Sequence, residues 1–273
     1  MFRVTSLATA SDAQLNRLIK RVGLLLVVVV IAFVGFYVLD RWKPPAPSIV
    51  SQEVLRLEAA IQATPEDIAI RGRLADAYAV AERYEDAITQ YSLILETGKS
   101  EQLAHFGRAR AHRALDNFEA ASADFLAVVE IAQAGEMAHV DPLLNASYYG
   151  LGEIAMAQAR PAEAIDPLLR AVSIKRSDAD ALHLLGAAYV QSGQPAKAIA
   201  PLKAAIAFVP LGWTEPYAAL GDAYTATGSA ELAEWAYAMA ELSDAKPDAA
   251  WMRLSYTFAC ASGPSNPNPA IDR

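Results

Sequence analysis

The chain has 273 residues, 54% of them apolar or aromatic and only 20% charged. That composition excludes a wholly disordered chain, and the length permits one or two domains with a buried core. The formal charge is −8, and it is spread unevenly: residues 1–43 carry +4, which leaves −12 on the other 230. So acidic a body repels phosphate backbones and argues against nucleic acid as a partner. Ala alone supplies 57 residues, and Ala favours helices that approach each other closely, so the expected class is all-α.

Residues 22–39 form an uninterrupted apolar run of 18 residues without a charge. As a helix at 1.5 Å per residue, such a run spans about 27 Å, close to the hydrocarbon thickness of a bilayer. Arg17, Lys20 and Arg21 guard one end, Arg41 and Lys43 the other, and Tyr37 and Trp42 fall where an interfacial aromatic belt sits. A buried core helix would not stay charge-free around its whole circumference. A cleaved signal peptide has a shorter apolar region and a small-residue cleavage site, which the following VLDRWKPPAPS lacks. The expectation is therefore an uncleaved transmembrane helix over 22–39. The Lys/Arg balance of its flanks puts the tail 1–21 in the cytoplasm and the body outside, in the periplasm of a bacterial-type inner membrane. Ser11 and Asp12 can cap a short helix, either separate from the span or an extension of it into the cytoplasm. Residues 40–50, with KPPAP at their centre, read as a stiff extended spacer.

Beyond the spacer the sequence repeats itself. A small residue recurs at Ala75, Ala109, Gly152, Gly186 and Gly221, at intervals of 34, 43, 34 and 35 residues. A unit of 34 residues used five times, with nine extra residues in the second gap, accounts for all of them. The units are about 68–101, 102–135, 145–178, 179–212 and 214–247. Within each, positions 4, 7, 8 and 11 lie on one face of a first helix, and positions 20, 24 and 27 on one face of a second. Ser192-Gly193 and Thr227-Gly228 mark turns between the helices, and Pro210 and Pro247 close units. One such pair cannot bury its apolar face alone, whereas a stack can.

These motifs, strongest where Leu185-Gly186 precedes Tyr189 and Leu220-Gly221 precedes Tyr224, resemble the tetratricopeptide repeat (TPR). The resemblance implies a right-handed α-solenoid of about five helix pairs, occupying residues 51–262 with a capping helix at each end. Residues 48–63 open it, and 248–261, with Trp251, Leu254, Tyr256 and Phe258, close it. Residues 263–273 form a disordered tail, and 136–144 a loop or an extended helix end. Arg108 and His112 depart from the pattern, standing where Leu and Tyr are usual. They either weaken packing or mark a functional surface.

Catalytic motifs are missing: no P-loop, GxGxxG, HExxH or GxSxG occurs. His105, His112, His139, His183 and the lone Cys260 are scattered, which disfavours a metal- or redox-active protein, and no metal or other cofactor is expected. Asn145 satisfies a glycosylation pattern but reads better as a helix cap. What remains is binding. The resemblance implies a concave groove lined by the first helices, with contacts from repeat positions 2, 5, 9, 12 and 13. Those positions hold Asp76, Phe106, Arg110, Arg113, Tyr149, Glu153, Asp180, His183, Gln191 and Asp222. Arg beside aromatic rings suits an extended peptide: the cations meet carboxylates or carbonyls while the rings supply area. The Lys/Asn carboxylate clamp of chaperone-cofactor TPR domains is absent from these positions. The expected function is a non-enzymatic, membrane-anchored scaffold that grips a protein or peptide partner, such as a subunit of a membrane complex. A chaperone role in c-type cytochrome maturation is the narrower alternative.

Overall fold

A computed structural model describes residues 12–41, 48–135, 137–208 and 213–244. The spacer prolines, Trp42, Pro210, Pro247, the closing helix 248–261, Cys260 and the tail lie outside the described residues. The chain divides into two compact units, residues 1–49 and 50–273.

The first unit contains one helix, α1 (Asp12–Arg41), of 30 residues. Its stretch Asn16–Tyr37 has a mean hydropathy of 2.5, and none of its residues is buried. The polar residues before the apolar run thus continue the same helix and do not form a separate one. Twenty-two residues extend about 33 Å, enough to cross a hydrocarbon core.

The second unit is helical throughout its described residues. α2 (Ile49–Ala63) is followed by five pairs: α3 (Ile68–Val80) with α4 (Tyr84–Leu95), α5 (Glu101–Ala114) with α6 (Phe118–Gln133), α7 (Pro142–Ala157) with α8 (Pro161–Ile174), α9 (Ala179–Gln191) with α10 (Pro195–Phe208), and α11 (Glu215–Ala226) with α12 (Ala230–Asp244). Each helix packs on its successor from α3 onward, and each first helix also touches the first helix of the next pair. The second helices do not approach one another as closely. A stack that is tighter on one side bends toward that side, so α3, α5, α7, α9 and α11 form the inner layer.

The turns inside the pairs share one geometry. The amides of Arg83, Asn117, Arg160, Gln194 and Ser229 reach back to the carbonyls of Tyr78, His112, Ala155, Tyr189 and Tyr224 at 2.8–2.9 Å. This six-to-one bond closes the first helix and requires a left-handed residue just before it. Glu82, Asp116 and Ala159 take that conformation in the first three pairs, and Gly193 and Gly228 in the last two. A side chain there costs about 1 kcal/mol that glycine avoids.

Small residues at repeat positions 8 and 20 let the helices cross: Ala75, Ala109, Ala87, Ala121, Ala164 and Ala198 are fully buried. The side chain at position 24 fills the remaining space in one of two ways. In the last three pairs it leans on the glycine of its own pair. A Cβ added at Gly152, Gly186 or Gly221 would come within 2.6, 2.3 and 2.5 Å of Leu168, Leu202 and Tyr237. In the first two pairs position 8 is Ala, and the ring crosses to the following pair instead. Tyr91 lies over Gly107, and Phe125 over Gly150, where a Cβ would come within 2.3 and 2.6 Å.

The nine extra residues lengthen α6 and α7 to 16 residues each and add a 3-10 turn over Ala138–Val140. Asp141, not Asn145, caps α7, accepting from the amides of Leu143 and Leu144 at 2.7 and 3.2 Å. Burial works against that carboxylate, but donors from Gln102, Leu144 and Leu143 outweigh it and hold the carboxyl below its ordinary range. The Gln102 amide, 2.8 Å from Asp141, ties the insertion to α5. Asn145 is buried in α7 and donates to the carbonyl of Ala171 at 2.9 Å. It is a cross-link between α7 and α8, and its side chain is neither a cap nor open to a sugar.

α2 covers the start of the stack. Val54 and Leu57 join Leu74 and Tyr78 in one apolar cluster. The Tyr78 phenol donates to Glu58 at 2.8 Å, and burial together with that acceptor pushes it up to about 12.

Candidate peptide groove

Five first helices side by side present one face each to the inner surface, so the candidate residues can be placed in order along it. Phe106 and Arg110 are one turn apart on α5. The guanidinium lies 5.9 Å above the Phe106 ring, which itself meets Phe125 edge-on at 6.0 Å. Arg110 is exposed and has no ion pair among the described residues.

Arg113, three residues further along α5, pairs with Glu153 of α7. Tyr149 precedes Glu153 by one turn. Burial, then the charges of Glu153 and Asp180, push its phenol well above the usual range, with Arg113 opposing them. Arg113, Glu153, Tyr149 and Asp180 therefore form one electrostatic neighbourhood spanning α5, α7 and α9.

His183 of α9 meets Trp213 edge-on at 5.2 Å. Burial lowers its pKa, against the pull of Glu215 and Asp180, so the imidazole is held neutral. Asp76 and Asp222, at the same repeat position, are each taken up inside their own pair. Asp76 accepts from the Tyr91 phenol at 2.6 Å, and Asp222 from the Tyr237 phenol at 2.7 Å. Gln191 is the exposed last residue of α9.

Three cavities follow this surface. One of about 540 Å³ lies between α3, α4 and α5 and includes Phe106 and Arg110. A second, of about 500 Å³, shares Asp76, Tyr91, Gly107 and Arg110 with the first and extends to Arg113. The third, of about 530 Å³, is lined by Tyr149 and Asp180 among others. A larger hollow, about 730 Å³, sits at the helix turns around His112, Asp116 and Gln158, outside the row of candidate residues. Its imidazole Nδ1 is buried without a hydrogen-bond partner, and burial lowers its pKa.

Arg108, the first departure from the repeat pattern, turns inward. Its guanidinium takes both oxygens of Asp124 at 2.8 and 2.7 Å and reaches the Ser92 hydroxyl at 3.0 Å. His105 Nδ1 completes the shell of Asp124 at 2.7 Å. Asp124 is only 4% exposed, so this is a satisfied structural centre and not part of the inner surface. No three His, Cys, Asp or Glu side chains among the described residues are grouped as metal ligands.

Sequence reasoning missed the partners that shape the surface. Trp213 stands just before a helix and faces His183 from another pair. Tyr91 comes from a second helix, and Gly72 and Gly107 contribute by having no side chain. Asp124 likewise comes from a second helix, where it meets Arg108, the residue that breaks the apolar pattern at repeat position 7.

No family model matches the sequence, and no curated protein matches it. Solved structures do match in fold. The crystal structure of YrrB, described as a TPR protein with an unusual peptide-binding site, superposes with a TM-score of 0.56 at 20% identity. The match covers 74% of this chain and 97% of that one. A crystal structure of MamA gives 0.57 at 22% identity, covering 67% of this chain and 94% of MamA. MamA from Desulfovibrio magneticus RS-1 gives 0.57 at 18%, covering 67% and 98%. Identities this low establish a shared fold: the chain is an all-α stack of TPR-type helix pairs preceded by one apolar helix.

Proposed function

We propose that this protein is a non-enzymatic scaffold, held in a membrane by α1, whose inner surface grips a protein or peptide partner for the assembly or tethering of a membrane or exported complex. The observation that carries the reading is the row of side chains from Phe106 and Arg110 through Arg113, Glu153, Tyr149 and Asp180 to His183. It lies on consecutive first helices and is bordered by three cavities. Such a row offers rings for area and fixed charges for register, which an extended chain can match residue by residue. The peptide-binding site attributed to YrrB lies on the same kind of fold and supports the reading by analogy. Asp222, turned to Tyr237, takes a lesser part. The exposed apolar side chains of α1 from Val22 to Tyr37 support the anchor.

Recovery of partners from gently solubilised membranes tests the groove. The native chain is expected to retain a stoichiometric partner that the double variant Arg110→Glu, Arg113→Glu loses. A partner that stays bound to the variant moves binding to another surface. A reporter fused after Ser262 tests the topology: activity only outside the cytoplasm fits the proposed orientation, and activity only inside reverses it.

A further inference from the structure

The cavity between α3, α4 and α5 differs from the rest of the inner surface in shape and in charge. Repeat position 5 carries Phe106, Tyr149 and His183 in the second, third and fourth pairs, but Gly72 in the first. A Cβ added at Gly72 would meet the Ile94 methyl at 3.8 Å, an ordinary van der Waals contact, so the position has room for a side chain that glycine does not supply. Gly107, on the facing helix, is bare because the Tyr91 ring occupies that room. The hollow beside Gly72, of about 540 Å³, is walled by Ile94, Leu103 and Phe106. Leu103 stands 62% exposed at its mouth, on a helix that packs on α3, α4, α6 and α7.

The charge runs against that of the molecule. In a chain of net charge −8, this cavity is lined by Arg73, Lys99 and Arg110 against a single acid, Asp76. Asp76 is already engaged by the Tyr91 phenol, and Arg73 by Glu53 at 2.9 Å. Lys99 and Arg110 are both exposed, and neither has an ion pair among the described residues. Two cations without ion pairs outweigh the one carboxylate of Asp76 in this lining, so the apolar hollow complements an anion attached to an apolar group.

We propose that this cavity is the anchoring pocket for the partner, and that it takes an internal peptide segment in which Asp or Glu lies within two residues of a large apolar side chain. The apolar side chain fills the space left by Gly72, against Ile94 and Leu103. The carboxylate meets Arg110 and Lys99. The proposal rests on the groove reading and gives it a partner chemistry.

A display library of random decapeptides, fused at both ends so that no free terminal carboxylate is present, is selected on the full-length chain in detergent micelles. The expected result is at least about tenfold enrichment of peptides that pair an acid with a large apolar residue, the discrimination that one charge-assisted contact supplies. Enrichment is expected to be lost with Lys99→Glu, Arg110→Glu, which instead selects basic–apolar peptides. It is also expected to be lost with Gly72→Leu, which fills the hollow without touching a charge and replaces glycine by a better helix former. Thermal unfolding confirms that both variants are folded. A basic or uncharged consensus from the native chain overturns the proposal but leaves the groove reading standing. So does an acid–apolar consensus that binds both variants as well as the native chain. No enrichment on the folded native chain overturns both.

Discussion

The first two helix pairs and the last three solve the same packing problem with different chemistry. At repeat positions 4 and 23, which face each other across a pair, the first two use polar partners. Arg71 donates to Gln90 at 2.9 Å, and His105 meets Asp124 at 2.7 Å with Arg108 alongside. In the third and fourth pairs position 23 is Pro167 or Pro201, inside α8 and α10, and position 4 is Tyr148 or Leu182. In the fifth they are Ala236, fully buried, and Tyr217. Polar pairs penalise any unpaired member, whereas a proline inside a helix removes one backbone hydrogen bond and crowds the carbonyl four residues before it, but needs no side-chain partner. The early pairs are thus intolerant of single changes, and the later ones depend on volume.

The largest expected effect tests that intolerance. Asp124→Ala strands the Arg108 guanidinium and is expected to cost about 3 kcal/mol, read from denaturant unfolding of the full chain. Replacing both, as Arg108→Leu with Asp124→Leu, is expected to recover most of the loss. If the double change is as damaging as the single one, the pair does more than satisfy itself. Volume is tested next at Gly186, where a Cβ would come within 2.3 Å of Leu202. Gly186→Ala is expected to cost about 1–3 kcal/mol, partly relieved by Leu202→Val. At Ala109, the same repeat position in an early pair, the opposite change Ala109→Gly is the one expected to destabilise, by roughly 0.5–1 kcal/mol.

A smaller effect, of reversed sign, is expected at the turns. Ala159 holds φ 55° where the last two pairs have glycine, so Ala159→Gly is expected to stabilise by up to about 1 kcal/mol, raising the thermal midpoint. The smallest concerns pH. Burial lowers the pKa of His183 from 6.5, so the unfolded chain binds its proton first. That contribution is complete above pH 6.5 and is lost as pH falls below it toward the folded-state value, so stability is expected to decline on mild acidification. His112, also lowered by burial, adds to the slope, and His183→Gln is expected to flatten it measurably. An unchanged slope in that variant would assign the acid sensitivity to other groups.

The period, the helix-pair class and the apolar segment were legible because each rests on a pattern that recurs along the chain. Five small residues in phase imply close crossings wherever they occur, and 18 uncharged residues in a row imply an apolar helix whatever surrounds them. What was illegible depends on side chains meeting from different helices. Asn145 reads as a cap from its place before a helix-like run, yet Asp141 three residues into the insertion's end takes that role because Pro142 starts the helix earlier. Arg108 reads as a defect until Asp124 is seen opposite it. Of the candidate groove residues, those expected from repeat position alone do line up on neighbouring first helices. Whether a given one faces open space or a partner was decided by residues elsewhere: Tyr237 for Asp222, Trp213 for His183.

The alternative seats of the position-24 side chain have a consequence for how the stack comes apart. Where the ring of Tyr91 or Phe125 lodges over a glycine of the following hairpin, neighbours are interlocked and must separate together. Leu168 and Leu202 lodge over the glycine of their own hairpin, yet each also clusters with the following one, Leu168 with Leu185 and Leu202 with Leu220. Removing any one hairpin therefore strips cover from a side chain of its neighbour, and unfolding is expected to spread from hairpin to hairpin at both ends of the stack.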